Sequence, residues 1–392
     1  MKSRARLSIF LSLAVTITIT AADSPPSSSA GSARLAAIPE ALEPFIDGHE
    51  ISGAVTLVAD HAHVLELGAI GKADLADSRP MRDDTIFCIA SMTKPVTAAA
   101  ILMLRDEGKL SIDDPVSKYC PELGGLKTRD GKAAVVTIRH CLTHTSGMDE
   151  PSPQQARAAK NLAELIPHFA EKPLLFAPGS QWKYCQSAIN TLGRVVEVAS
   201  GQSLPDFLEQ RLFKPLDMKD TTFYPSPAQI ERLAINYKKT GDKLEAVAVG
   251  LLGGHPISDR DRYPAANGGL FSTAPDYGRF CRMLLNKGTF EGKQYLKVRT
   301  VEQMSTIQTG ELKTGFTPGN GWGLGVCVVR EPQGVTEMLS PGTFGHGGAY
   351  GTQAWIDPKR DRVYVLMVQR ANFPNSDASD VRKAFQQAAA PK

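Results

Sequence analysis

The chain has 392 residues, of which 42% are apolar and 22% are charged, values typical of a soluble globular protein. That length is enough to bury one large hydrophobic core or two modest ones. The 44 basic and 41 acidic side chains give a formal charge of +3, which does not indicate nucleic acid or another strongly charged partner.

Residues 1–22 have the layout of a secretory signal, with three basic residues in the first six positions, a short apolar run and small residues up to Ala22. We predict an exported protein, periplasmic or secreted, with no stable membrane insertion after cleavage. An uncleaved anchor is the alternative, but the apolar run is shorter than the ~20 residues that span a bilayer. Cleavage after Ala22 would leave 41 basic and 41 acidic side chains.

After a leader rich in Pro and Ser (23–34), the pattern places strands at both ends of the chain and helices between them. In chain order it predicts a helix at 35–48, a hairpin in 52–71, helices at 92–107, 155–170 and 187–214, strands at 321–331, 351–358 and 362–370, and a helix at 376–389. We therefore predict one domain over 35–392 with an α+β fold. One antiparallel sheet would combine N- and C-terminal strands, flanked by helices and by an all-helical insertion lobe.

Six cysteines, an even number, allow disulfides in an exported chain, although buried free thiols are equally consistent with a chain of this size. His140 and His144 have the spacing of one helix face with Cys141 between them, but no acidic third ligand accompanies them. We therefore predict no metal. The sequence also has no glycine-rich phosphate loop, so we expect no nucleotide and no other cofactor.

Ser91 and Lys94 stand at the start of the apolar run "PVTAAAILML". Side chains three residues apart share a helix face, which puts the lysine amine beside the serine hydroxyl. If that turn is buried, the pKa of the lysine falls, and the neutral amine can accept the serine proton. The same spacing recurs at Ser180 and Lys183 in a predicted loop, so spacing alone is weak evidence. The alternative is a helix-capping serine beside a solvated lysine.

Five blocks of sequence, in this order, resemble the serine β-lactamase and penicillin-binding-protein superfamily, in particular the class C-like branch that includes family VIII carboxylesterases. The blocks are "DDTIFCIASMTKPVTAAAILML" (83–104), "IRHCLTHTSGM" (138–148), "FAPGSQWKYCQSAINTLGRVVEVASGQSL" (176–204), "NGGLFSTAPDYGRF" (267–280) and "FGHGGAYGTQAWIDP" (344–358). The resemblance implies a β-lactamase/transpeptidase-like fold and acyl transfer through a covalent acyl-enzyme.

The resemblance also implies roles for three residues. Ser91 would be the acyl-accepting nucleophile and Lys94 its proton relay. Tyr184 matches the tyrosine of the family's Tyr-x-Asn motif and would exchange a proton with Ser91, then activate the deacylating water. A tyrosine near its ordinary pKa of ~10 is a poor base, so we expect the Lys94 ammonium to lie close and lower that pKa. A core aromatic at a helix start is the alternative for Tyr184.

The family's third motif, Lys-Thr-Gly, occurs twice, at 239–241 and 313–315, but both copies lie in predicted turns or loops. Block order places His346-Gly347-Gly348 at the expected position, with the copy at 313–315 as the alternative. The resemblance implies that the amides of Ala349 and Ser91 form an oxyanion hole.

Two departures from the lactamase pattern bear on the substrate. His346 replaces the motif lysine and is expected to be mostly neutral at pH 7, and Gln186 replaces the asparagine of Tyr-x-Asn. Both weaken recognition of a β-lactam and leave acyl transfer intact. We predict a serine hydrolase, a carboxylesterase that acts on short-chain acyl esters of small molecules. The alternatives are a β-lactamase or D-amino-acid peptidase, and a non-hydrolytic penicillin-binding or acyl-accepting protein. The sequence does not indicate an oligomeric state.

Overall fold

The computed structural model of the protein describes residues 35–390. The predicted signal (1–22) and leader (23–34) lie outside the described residues and stay predictions. None of the helices within 35–390 is long and apolar enough to cross a membrane.

The α-helices of the described chain are concentrated between the first and last strands. They are α1 (Ile38–Asp47), α2 (Thr93–Asp106), α3 (Ile138–Leu142), α4 (Pro153–Ala158), α5 (Leu162–Leu165), α6 (Gln186–Ser200), α7 (Leu204–Leu208), α8 (Pro227–Ile230), α9 (Ala274–Leu285), α10 (Val298–Met304) and α11 (Asp380–Ala389). Single turns of 3-10 helix include Ala90–Met92, directly before α2, and Ser376–Ala378, before α11.

The strands fall in two groups along the chain, with short pairs in between. They are β1 (Gly53–Ala59), β2 (Val64–Asp74), β3 (Arg79–Pro80), β4 (Phe87–Cys88), β5 (Tyr237–Thr240), β6 (Lys243–Ala246), β7 (Phe271–Ser272), β8 (Thr289–Phe290), β9 (Lys293–Gln294), β10 (Asn320–Trp322), β11 (Cys327–Val329), β12 (Phe344–Gly347), β13 (Gln353–Asp357), β14 (Arg362–Met367) and β15 (Arg370–Ala371).

The main sheet has eight antiparallel strands in the order β10-β11-β12-β13-β14-β1-β2-β3. Leu57 of β1 is paired with Val365 of β14 on one side and with Leu67 of β2 on the other. Every residue of β1 is buried, because both faces of the sheet are covered there. The prediction of one antiparallel sheet built from both terminal parts of the chain is confirmed.

Helices cover both faces of this sheet. The terminal helices α1 and α11 pack against each other and on one face, around Trp355, Tyr364 and Phe385. On the other face α9 packs against β1, β13 and β14. The largest apolar cluster continues from there into α2 and α6, which pack against each other. The helical lobe is also confirmed, since residues 93–230 contain only helices, turns and isolated β-bridges.

Two predicted helices are broken in the structure. The predicted helix at 155–170 divides into α4, α5 and a 3-10 turn, because Asn161 caps a new start by accepting the amide of Glu164. The predicted helix at 187–214 ends at Gly201, whose φ of +73° terminates α6, and α7 begins at a new cap, Ser203.

Two C-terminal elements also differ from the prediction. The predicted strand at 321–331 is two strands, β10 and β11, joined by a tight turn with Gly325 at φ +78°. The predicted helix at 376–389 begins only at Asp380, where Ser379 caps it. The six cysteines are all buried and unpaired.

Candidate active site

Ser91 lies in the 3-10 turn that leads into α2. Its neighbour Ala90 has φ +47°, in the left-handed region that residues with a Cβ rarely adopt. The turn is held from below, because the buried Tyr277 hydroxyl donates a 2.7 Å hydrogen bond to the Met92 carbonyl. Backbone strain of this kind is typical of functional sites, where the surrounding fold fixes an unfavourable conformation.

Lys94 is fully buried one helical turn beyond Ser91. Its Nζ donates to Ser91 Oγ at 3.1 Å, to Gln186 Oε1 at 2.8 Å and to the Asn267 carbonyl at 2.7 Å. Burial lowers the pKa of Lys94 from 10.5 to about 7, although the nearby Glu150 carboxylate opposes the shift. That shift corresponds to about 5 kcal/mol of lost preference for the ammonium. The alternative with a solvated lysine is therefore wrong.

The start of α6 is fixed by a carboxylate that sequence reasoning missed. Glu150 accepts hydrogen bonds from the amides of Gln186 at 2.6 Å and Ser187 at 3.1 Å, which satisfies two free donors of the first helical turn. Gln186 is thereby placed with its Oε1 between Lys94 Nζ and Asn267 Nδ2, the latter at 2.9 Å. Glu150 acts from a loop with no motif of its own, whereas Asn267 begins one of the five sequence blocks.

Tyr184 directly precedes α6 and lies beside the Ser91–Lys94 pair. Lys94 Nζ is 4.6 Å from the centre of its ring, its hydroxyl lies 3.3 Å from His346 Nε2, and Ser91 is close enough to affect its pKa. The predicted contact of hydroxyl, amine and phenol is therefore present. The expected lowering of the Tyr184 pKa is wrong. Burial raises that pKa well above its ordinary value, and Lys94 has itself lost its preference for the charged form.

His144, which the sequence placed in a structural turn, supports Tyr184 from behind. The two ring centres are 4.5 Å apart. His144 Nδ1 accepts the amide of Cys185 at 3.1 Å, and its carbonyl accepts the amide of Lys183 at 2.9 Å. Burial and the nearby Lys94 lower the pKa of His144 well below its ordinary value, so the ring is neutral. His144 thus fixes the backbone on both sides of the phenol.

His140 does not join His144 in a shared site. Its Nδ1 accepts the amide of Thr137 at 3.2 Å and closes the start of α3. Within residues 35–390 no group of three or more His, Cys, Asp or Glu side chains is arranged to hold a metal ion.

His346 lies near the end of β12, facing Tyr184. Burial and then the Lys94 charge lower the pKa of His346 to about 3, so the imidazole is neutral at pH 7. Its Nδ1 lies 2.6 Å from the Gly347 carbonyl, to which it donates, and Nε2 is left to accept from the Tyr184 hydroxyl.

Gly348 brings the end of β12 against the nucleophile turn. A Cβ at this position would lie 2.6 Å from the Ile89 carbonyl oxygen and 2.1 Å from Thr352 Oγ1, so the approach requires glycine. The amides of Ser91 and Ala349 donate to no acceptor in the described part of the chain. Both are therefore free to donate to a ligand, as an oxyanion hole requires.

These groups line one cleft with a volume of about 390 Å³, a size suited to a small molecule. Its walls are Ser91, Tyr184, Gln186, Phe316, residues 346–349 and residues 373–377. Neither Lys-Thr-Gly copy reaches it. Lys239 of β5 forms an ion pair with Glu50, and 313–315 belong to the loop before β10. Asp377, also in the cleft wall, lies outside every sequence block and was not predicted.

Comparison with known proteins gives consistent matches. The Beta-lactamase family model matches residues 38–389. Esterase EstB of Burkholderia gladioli is 32% identical over 349 residues, which cover 81% of this chain and 86% of EstB. Lovastatin esterase of Penicillium rubens is 30% identical over 384 residues, which cover 87% of this chain and 94% of that protein. The structure of EstCE1, a hydrolase with promiscuous acyltransferase activity, has a TM-score of 0.81 at 27% identity and covers 92% of this chain and 100% of its own.

Proposed function

Because the chain belongs to the β-lactamase family of serine hydrolases, we propose that it is a carboxylesterase that cleaves short-chain acyl esters through an acyl-enzyme on Ser91. The observation that carries the proposal is the hydrogen bond between the partly exposed Ser91 and the fully buried Lys94, with Oγ and Nζ 3.1 Å apart and a lysine pKa of about 7. The family and its fold agree with the resemblance seen in the sequence.

In the proposed acylation step, neutral Lys94 is the base. A neutral amine has two N–H donors and one lone pair, so Lys94 can donate to Gln186 Oε1 and the Asn267 carbonyl and accept the proton of Ser91. As Ser91 Oγ bonds to the acyl carbon, the carbonyl oxygen becomes an oxyanion. The amides of Ser91 and Ala349 would bind that oxyanion.

Tyr184 acts as a proton carrier in this proposal, because its raised pKa keeps it protonated. The phenol gives its proton to the departing alkoxide and regains one from Lys94, so the alcohol leaves neutral and the acyl group stays on Ser91. In deacylation a water attacks the ester carbon and its proton follows the reverse route, which releases the carboxylic acid and restores the Ser91 hydroxyl. His346, neutral and accepting from Tyr184, orients the phenol.

Two observations support an ester substrate over a β-lactam. No lysine or arginine is among the described residues that line the cleft, and His346 is neutral, so the substrate carboxylate of a β-lactam lacks a cationic partner. Two of the relatives above are named esterases.

A labelling experiment tests the nucleophile. Purified protein is treated with a fluorophosphonate, its intact mass is measured, and the modified peptide is sequenced. We expect one adduct, on Ser91, with none in Ser91→Ala and an unchanged adduct in Ser180→Ala. Labelling of Ser180, or no adduct on a folded protein, would contradict the proposal.

A substrate comparison tests the reaction. We expect hydrolysis of p-nitrophenyl acetate and butyrate, with slow or absent cleavage of the cephalosporin nitrocefin. Nitrocefin turnover faster than ester turnover would overturn the esterase assignment and favour a β-lactamase.

A further inference from the structure

Asp377 is the one carboxylate among the described residues that line the cleft. It lies in the 3-10 turn before α11, opposite the end of β12. Asp377 Oδ1 is so close to Gly347 that a Cβ on that glycine would lie 1.9 Å from it. Because Gly347 adjoins Gly348, which packs on the nucleophile turn, the carboxylate lies beside the strand end that would bind the oxyanion.

The hydrogen bonds of Asp377 leave one side of its carboxylate unused. Oδ1 accepts a 3.3 Å bond from Gln353 Nε2, and Oδ2 accepts none from the described residues and is not sealed from solvent. A neutral amide is therefore its side-chain partner, and the residue lines the cleft.

Arg382, the cation behind Asp377, forms no ion pair with its carboxylate. Arg382 is fully buried, stacks 4.2 Å over the Trp355 ring and donates its Nη1 to the backbone carbonyl of Asp377 at 2.6 Å. No ion pair within 4 Å joins its guanidinium to the Asp377 carboxylate in the described structure. Arg382 lines only a narrow space of about 10 Å³ that adjoins the cleft, whereas Asp377 lines the cleft itself.

We propose that Asp377 selects substrates by charge, admitting esters whose acyl part is neutral or cationic and rejecting those with a carboxylate near the scissile bond. The field of Asp377 reaches the reaction centre, since its charge acts on both Lys94 and Tyr184. An anionic substrate group placed in the cleft would meet the same field at short range, whereas an ammonium group would be attracted by it. This inference rests on the proposed esterase function and specifies its substrate class.

The test uses three p-nitrophenyl esters of similar length, with background hydrolysis subtracted. They are the neutral methyl p-nitrophenyl glutarate, the anionic p-nitrophenyl hydrogen glutarate and the cationic p-nitrophenyl 4-(trimethylammonio)butyrate. In the wild type we expect kcat/KM for the neutral ester to exceed that for the anionic ester by about tenfold or more, as one charge repels another across a cleft of intermediate dielectric. The cationic ester should be cleaved at least as well as the neutral one.

Asp377→Asn should reduce the neutral-to-anionic ratio by about tenfold, because it keeps the shape and removes the charge. The quantity measured is the ratio of kcat/KM for the neutral ester to that for the anionic ester. Loss of the carboxylate also eases formation of the oxyanion, but it does so equally for every substrate and cancels in this ratio. Asp380→Asn, three residues along at the exposed start of α11, is the matched control and should keep the wild-type ratio.

The outcomes separate this inference from the proposed function. Absence of hydrolysis of the neutral ester by folded wild type defeats the esterase proposal, and the charge selection falls with it. Hydrolysis of the neutral ester with a wild-type ratio near one, or with the ratio unchanged in folded Asp377→Asn, overturns the Asp377 inference alone.

Discussion

The titration of Lys94 sets the rate in the proposed mechanism, so the pH dependence of ester hydrolysis tests it directly. With a pKa of about 7, roughly 1% of Lys94 is neutral at pH 5 and half at pH 7. We therefore expect kcat/KM for p-nitrophenyl butyrate to rise about 50-fold over that range and then to level off. A lysine at its ordinary pKa would instead give a rate that climbs about tenfold per pH unit to beyond pH 9.

The two histidines and the tyrosine near Ser91 do not account for a midpoint near pH 7. The pKa of His346 is lowered to about 3, that of His144 lies well below its ordinary value, and that of Tyr184 lies well above. Asp377 has a raised pKa, because burial outweighs the attraction of nearby cations. The Asp377 charge also raises the pKa of Lys94, less than Glu150 does, so Asp377→Asn should keep a midpoint and move it slightly downward if Lys94 is responsible.

The Glu150 carboxylate offers a way to move the midpoint. Its charge raises the pKa of Lys94, so Glu150→Gln should shift the midpoint downward, by roughly half a unit to one unit for charges separated by a partly polarisable interior. Glu164→Gln is the matched control, because Glu164 also binds a backbone amide near a helix start but does not act on Lys94. The assay is initial rates from pH 5 to 9. A flat profile below pH 7, or an upward shift in Glu150→Gln, would refute the reasoning.

Three further predictions concern single substitutions. Ser91→Ala should abolish ester turnover and Ser180→Ala should leave it nearly unchanged, since the Ser180 hydroxyl is bound to a loop carbonyl; an inactive, folded Ser180→Ala would contradict this. Tyr184→Phe should slow turnover by about 10² to 10⁴ and accumulate acyl-enzyme in intact-mass spectra, and near wild-type rates would exclude the proposed proton carrier. Burial raises the pKa of Glu66 to about 7, so its neutral form stabilises the fold below pH ~4.3, and this contribution is lost as pH rises through 7. Glu66→Gln should thus raise Tm more at pH 8 than at pH 5, and an equal change at both values would argue against a buried carboxyl.

The sequence predicted the elements whose periodicity is long and regular. The runs that became α2, β1 and β14 are predominantly apolar, so most of their burial followed from composition. The broken elements depend on single residues, such as Asn161 and Ser203, whose capping role is visible only once the flanking backbone is placed. Local patterns do not indicate whether a polar residue inside a helical run ends a helix or faces solvent.

In the candidate active site, the catalytic residues identified from the sequence blocks lie together. The residues that influence their charge and position lie outside those blocks. Ser91, Lys94 and Tyr184 converge as the resemblance implied. Glu150 and Asp377 affect the same groups but stand in loops with no motif. The pKa of Tyr184 was predicted in the wrong direction because the balance between burial and an adjacent charge depends on three-dimensional depth, which spacing does not encode.

The pairing of β1 with β14 has a consequence for how the protein is made. A ribosome synthesises the partner strand of Val55–Ala59 only after more than three quarters of the chain has emerged, so the central sheet cannot close during translation. Until then β1 can pair with β2 but lacks the strand that pairs with its other edge. A chain that completes its central sheet this late would remain unfolded for most of its synthesis. Export by the signal predicted at residues 1–22 would require such an unfolded chain.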